Sequence, residues 1–185
     1  SKSDAGSFAG LPAGVQEMYL PVGQGEAAAQ IHAWWWPDAN PDAPAVLYLH
    51  GARWNLTGHV RRMEQLRQMG YAVFAIDYRG FGKSDGELPS EQMAYEDARA
   101  AWAWLSRQQP DPARRLIMGH SLGGAIAIDL AAGMAGGPAQ ARGLMIADPN
   151  LALPAADIAK IDVAINAYAS AFEKHVALPA TGTIE

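Results

Sequence analysis

Ser121 stands between two glycines in Gly119-His120-Ser121-Leu122-Gly123-Gly124, directly after the apolar run Leu116-Ile117-Met118 and before an alanine-rich stretch that reaches Met134. The run reads as a short buried strand and the stretch as a helix, so the serine falls on a sharp strand-to-helix turn. Such a turn strains the backbone of its central residue and leaves no room for side chains two positions to either side, which accounts for both glycines. It also sets the hydroxyl at a helix N-terminus, where free N–H groups and the helix dipole favour developing negative charge. The chemistry implied is nucleophilic attack by Ser121, with the Leu122 N–H as one donor to an oxyanion. A glycine-rich cap at a tight connection would also account for the bare pattern, so the decision rests on what surrounds it.

Two further segments occur in the order such a site needs. His50-Gly51-Ala52 follows the apolar run Ala45 to Leu49; it is either a plain turn after a strand or the place of a second oxyanion donor, the Ala52 N–H. Asp77-Tyr78-Arg79-Gly80-Phe81-Gly82-Lys83-Ser84 follows the next apolar run and suits a loop shaping the carboxyl edge of a sheet. With these residues the stretch from about 15 to 147 resembles the α/β-hydrolases, in particular esterase-like members carrying His-Gly, Asp-Tyr-Arg-Gly-x-Gly-x-Ser and Gly-His-Ser-x-Gly-Gly. The resemblance implies a doubly wound, mostly parallel α/β sheet and a serine nucleophile. It also implies a histidine base and an acidic orienter, in the chain order serine, acid, histidine. Ser121, Ala52 and Leu122 carry over directly.

Downstream of the serine the sequence departs from that pattern. The two later strands that bear the acid and the histidine in the family are not recognisable, so the expected sheet lacks its last strands. Taken in the family's order, the one histidine after Ser121 is His175, and the acids are Asp129, Asp148, Asp157, Asp162 and Glu173. Asp148 is the best placed, because it directly follows the strand Gly143 to Ala147 at the carboxyl edge, where open α/β sheets build their sites. The expected triad is Ser121, Asp148 and His175, in which His175 takes the serine proton and Asp148 fixes its tautomer. His175 also suits a plain cation at a helix C-terminus, and Asp148 a turn cap before Pro149. Of the other histidines, His120 reads as structural within the serine turn, His50 as shaping the oxyanion loop, and His32 and His59 as surface or core residues.

The elements that must carry these groups follow from apolar periodicity and glycine punctuation. Residues 1–14 read as a loose arm. A hairpin pairs 15–20 with 29–36, turning at Gly23 and Gly25. Strands follow at 45–49, 71–76, 116–118 and 143–147. Helices are expected at 58–69, ended by Gly70; from a Ser90 cap to about 107; and from the Ser121 turn to 134. A last helix is expected at about 155–175 within a divergent segment, 151–185, of a single domain. Strands alternating with helices predict a parallel sheet covered on both faces. The strand at 143–147 would then be an outer edge needing cover, by the 155–175 helix or by a second copy in a homodimer.

Composition narrows the partners. The chain of 185 residues carries 14 Lys and Arg against 19 Asp and Glu, a formal charge of −5, and no basic stripe, which argues against nucleic acid. There is no cysteine, so thiolate catalysis, disulfides and Cys-ligated zinc are excluded together. No apolar run approaches a membrane span, the start lacks an apolar signal core, and the compartment stays open. The expected activity is a cofactor-free serine esterase acting on a small-molecule ester substrate. The competing reading is a rearranged scaffold that binds without turning over.

Overall fold

Two five-residue runs, Ala45-Val46-Leu47-Tyr48-Leu49 and Ala72-Val73-Phe74-Ala75-Ile76, are buried along their whole length, as strands covered on both faces must be. The computed structural model describes residues 10–51, 56–86, 90–134, 137 and 139–147. In chain order these form β1 (Gln16–Val22), β2 (Ala29–Trp36), β3 (Ala45–Leu49), α1 (Val60–Gln68), β4 (Ala72–Ile76), α2 (Glu91–Gln108), β5 (Arg115–His120), α3 (Leu122–Met134) and β6 (Gly143–Ala147). The strands make one sheet ordered β1-β2-β4-β3-β5-β6. β4, β3, β5 and β6 run parallel, while β2 joins β4 antiparallel and β1 closes the hairpin. This is the mostly parallel α/β-hydrolase sheet that the sequence predicts, with β6 an outer strand among the described residues.

Period-two alternation decides which helix covers which face. Ala45, Leu47 and Leu49 turn into a cluster with Ala98, Trp102, Leu105, Ile126, Ala127 and Leu130, so α2 and α3 pack on one side. Val46 and Tyr48 turn the other way, onto Met63 and Leu66 of α1. Each large apolar side chain removed from water in these clusters contributes on the order of 1.5–3 kcal/mol. The three adjacent tryptophans divide the same way, as core and rim. Trp34 and Trp36 join the α1 side, and Trp35 meets Trp104 edge-on at 5.4 Å on the other.

Local signals fix the helix ends. The Ser90 side chain accepts from the Met93 N–H at 3.1 Å and caps α2. Gly70, at φ +95°, ends the turn after α1. Two boundaries differ from expectation. The helix expected at 58–69 begins as a 3-10 turn over Leu56–His59. β5 runs longer than 116–118, because Gly119 pairs with Leu49 and Ile146, and His120 with Ala147; ladder pairing extends strand geometry into residues whose side chains give no apolar signal. Residues 1–9 of the expected arm, and the expected helix at 155–175, lie outside the described residues.

Candidate active site

The carboxyl ends of β3 and β5 lie side by side, since Leu49 pairs with Gly119. The next residues therefore leave the sheet together: His50-Gly51 from one strand, His120-Ser121 from the other. Ser121 is the one described residue other than glycine with positive φ, at +55°. Its side chain is exposed, and its carbonyl accepts from the Gly124 N–H at 2.8 Å to open α3. The strain and the exposed hydroxyl coincide at one residue, as the Gly-x-Ser-x-Gly spacing predicts.

Sterics explain the flanking glycines more sharply than the sequence can. A Cβ on Gly119 would sit 2.3 Å from the Gly123 carbonyl oxygen, and one on Gly123 would sit 1.9 Å from that of Leu49. Both contacts are with backbone, which cannot swing aside. The second reaches across to β3, so Gly123 lets the first turn of α3 seat directly on the strand that carries His50 and Gly51. A Cβ on Gly51 would lie 3.0 Å from Ser121 Cβ and 3.5 Å from Ser121 Oγ. The serine turn thus leaves little room for a side chain at Gly51, which lets the His-Gly turn lie close beside it. Leu122, the first residue of α3, follows at 39% exposure.

Behind Gly51 lies a buried polar chain that sequence reading did not assemble. Leu49 pairs with Ile76 in parallel, so His50 and Asp77 leave adjacent strands at matching positions, and both are fully buried. His50 Nε2 lies 2.7 Å from Asp77 Oδ1, and His50 Nδ1 lies 2.6 Å from the Gly51 carbonyl oxygen. Tyr78 donates its hydroxyl to the His50 carbonyl at 2.9 Å, and its phenol is held well above its usual range by burial, so it stays a neutral donor. His59 stacks on His50 with ring centroids 5.0 Å apart, and its Nδ1 lies 3.0 Å from the Tyr48 hydroxyl. On the far side, His32 Nδ1 lies 3.8 Å from Asp77 Oδ2, and His32 Nε2 lies 2.8 Å from Glu17 Oε1. Burial alone would raise the Asp77 carboxyl, but the His32 and His50 imidazoles outweigh it and hold the group below its ordinary value. His32 and His59 are core residues with partners, the second of the two readings open for them.

The Asp77–Gly86 loop is bolted down around this chain. Ser84 Oγ donates to the Asp77 carbonyl at 2.6 Å and accepts from the His32 N–H at 2.8 Å. Arg79 binds Asp97 of α2 twice, through its backbone N–H and through Nε, each at 2.8 Å, and reaches Glu96 at 2.7 Å. The one sequence signal for this assembly was positional: a histidine and an aspartate each directly following a wholly apolar strand.

Of the site residues expected from sequence, Ser121 and Leu122 sit together at this edge, with Gly51 against the hydroxyl. Ala52, Asp148 and His175 lie outside the described residues. Among the described residues no three His, Asp or Glu side chains are grouped to hold a metal ion, and no helix is long and apolar enough to cross a membrane.

Residues 40–181 match the family described as serine aminopeptidase, S33. The chain is similar to the lysophosphatidylserine lipase ABHD12 of Danio rerio, 36% identical over 107 residues that make up 57% of this chain and 28% of the lipase. Among solved structures it resembles an alpha-beta hydrolase from Vibrio vulnificus, 30% identical with a TM-score of 0.60 over 72% of this chain and 45% of that one. It also resembles an esterase from Pyrococcus furiosus, 25% identical with a TM-score of 0.52 over 66% of this chain and 46% of that one. The chain spans 28% to 37% of the lengths of the curated relatives it matches first.

Proposed function

The chain belongs to the serine aminopeptidase S33 family of the α/β-hydrolase superfamily, and on that footing we propose that it is a serine hydrolase cleaving carboxylic esters through an acyl-enzyme on Ser121. The observation that carries this reading is the exposed Ser121 at φ +55°, seated at the N-terminus of α3 with the Gly51 backbone against its hydroxyl. Attack of Oγ on an ester carbonyl turns that oxygen into an oxyanion. The Leu122 N–H, at the positive end of α3, and the Ala52 N–H, beside Gly51, are the two donors that would hold it. Collapse expels the alcohol and leaves the acyl group on Ser121, and water then releases the acid. His175 is proposed as the base that takes the serine proton and returns it to the alcohol, with Asp148 orienting it.

The ester class is favoured by similarity to a lipase and to an esterase; small soluble esters are the substrates proposed, with no cofactor. The test is covalent. A fluorophosphonate probe should label the chain at Ser121, and Ser121→Ala should abolish both labelling and turnover of a chromogenic short ester. An unlabelled, inactive chain would favour a binding scaffold instead. His175→Ala should lower turnover by a factor of roughly 10³ or more; unchanged turnover would remove His175 from the mechanism.

A further inference from the structure

We propose that a recess beside α1, at the sheet edge away from Ser121, is a binding site for a free α-amino acid, held by both of its charges. The site stands apart from the hydrolase reading and does not depend on it. Trp36 ends β2 opposite Val73, near the start of β4, whereas His50 and Ser121 leave β3 and β5 at their carboxyl ends. Trp36, Glu64, Arg67 and Gln68 line a recess of about 440 Å³ there, within the size range of small-molecule sites.

Arg67 is the residue whose bonds call for a ligand. Its Nη2 donates to the Pro37 carbonyl at 3.0 Å, and its guanidinium carbon lies 4.8 Å from the centroid of the Trp36 ring. Those two contacts hold the group in place, and neither is a counter-charge. Among the described residues no carboxylate pairs with Arg67, and its Nε is buried without a hydrogen-bond partner. Nη1 is the arm left to take an anion. Because folding has already ordered the guanidinium, a carboxylate bound there costs little further side-chain freedom.

The second charge sets the ligand class. Glu64 stands three residues before Arg67, is exposed and lines the same recess, yet the two side chains do not pair. A carboxylate on the wall repels a dianion such as phosphate and accepts from an ammonium. Residues so spaced on a helix lie roughly 5–6 Å apart at Cβ, a gap that a ligand with an ammonium and a carboxylate on one carbon bridges. Gln68 adds an amide that both donates and accepts. Trp36 is the one apolar residue of the lining, and at 7% exposure it offers a small contact to an apolar side chain. Both charges stay within reach of water, so the affinity expected is millimolar.

The probe is L-leucine, titrated into the full chain after treatment with the fluorophosphonate, and followed by proton–nitrogen correlation spectra. The Trp36 indole N–H and the amides of α1 should shift saturably, whether or not Ser121 has been labelled, so failure of this proposal and failure of the hydrolase reading are told apart. Leucinamide, which lacks the carboxylate, should bind at least about tenfold more weakly; N-acetylleucine, which lacks the ammonium, should bind at least about threefold more weakly. Arg67→Met keeps a stem against the indole without the charge and should weaken leucine by at least about tenfold. Glu64→Gln, at an exposed position, should weaken leucine by about threefold and leave N-acetylleucine no weaker. No saturable shift at tens of millimolar leucine, or shifts that leave Trp36 and α1 unmoved, overturns the proposal on the unsubstituted chain alone. Equal affinity for leucine in Arg67→Met, or N-acetylleucine binding as tightly as leucine, overturns it as well.

Discussion

Ser121 holds a left-handed backbone that costs a residue with a Cβ roughly 1–2 kcal/mol, and its neighbours show why the strain persists. Gly119 and Gly123 let α3 press onto β5 and β3 so closely that the turn has no relaxed alternative. Not every glycine there is of this kind. Gly133, near the end of the same helix, has nothing within 4 Å of where a Cβ would lie. Gly123→Ala should therefore destabilise the chain by at least about 3 kcal/mol, because the clash is with the Leu49 carbonyl. Gly133→Ala should stabilise it by about 0.5–1 kcal/mol through helix propensity. Urea unfolding of the two variants side by side measures the contrast, and equal effects would mean the turn is looser than its geometry states.

At the scale of elements, the loop from Asp77 to Gly86 has no regular structure, and it is held by side chains instead. Arg79, 3% exposed, ties it to α2 through Asp97, which is fully buried. Burial is the largest influence on both groups. It lifts the Asp97 carboxyl above its ordinary value in spite of Arg79, whereas for Arg79 the Glu96 and Asp97 carboxylates outweigh it and raise the guanidinium. Losing Asp97 takes the one fully buried carboxylate from the Arg79 guanidinium and leaves it only the exposed Glu96, so Asp97→Ala should cost about 3–5 kcal/mol. Adding Arg79→Met in that background should cost little more, because the stranded charge goes with it. A double-mutant cycle by chemical denaturation reports the coupling; additive losses would show that the pair is not what holds the loop to the helix.

Across the whole molecule, stability should follow the carboxylates whose titration the fold shifts. Asp77, of ordinary value 3.8, and Glu17, of ordinary value 4.5, are both lowered in the fold. Groups so shifted lend stability that is present above their unfolded values and lost as pH falls through the folded ones. Asp97 is shifted upward from 3.8, so it acts in the opposite sense: its contribution falls as pH rises from its unfolded to its folded value. With Glu96 also lowered by its bond to Arg79, three groups stand against one, so Tm followed by circular dichroism should fall steadily below pH of about 4, and Asp77→Asn should flatten that slope. A slope unchanged in Asp77→Asn would mean that Asp77 does not take part in acid unfolding.

The order of strands and helices was legible because it depends on local alternation. Apolar runs mark strands covered on both faces, Ser90 and Gly70 mark helix limits, and Gly-x-Ser-x-Gly marks a turn that only glycine permits. The reading of Ser121 as a strained, exposed hydroxyl needed nothing beyond those spacings. The site around it was less legible, since its parts come from separate strands. Nothing in the spacing of His50 and Asp77, or of His32 and Glu17, says that they meet; they do so because β3 pairs in parallel with β4, and β2 antiparallel with both β1 and β4. Likewise the sequence shows that Gly123 is small, but only the seating of α3 on the Leu49 carbonyl shows what its smallness is for. Local chemistry and periodicity determined the elements and the candidate nucleophile, whereas the buried chain behind Gly51 was decided by strand register, a property of neighbours in space that no single stretch of chain contains.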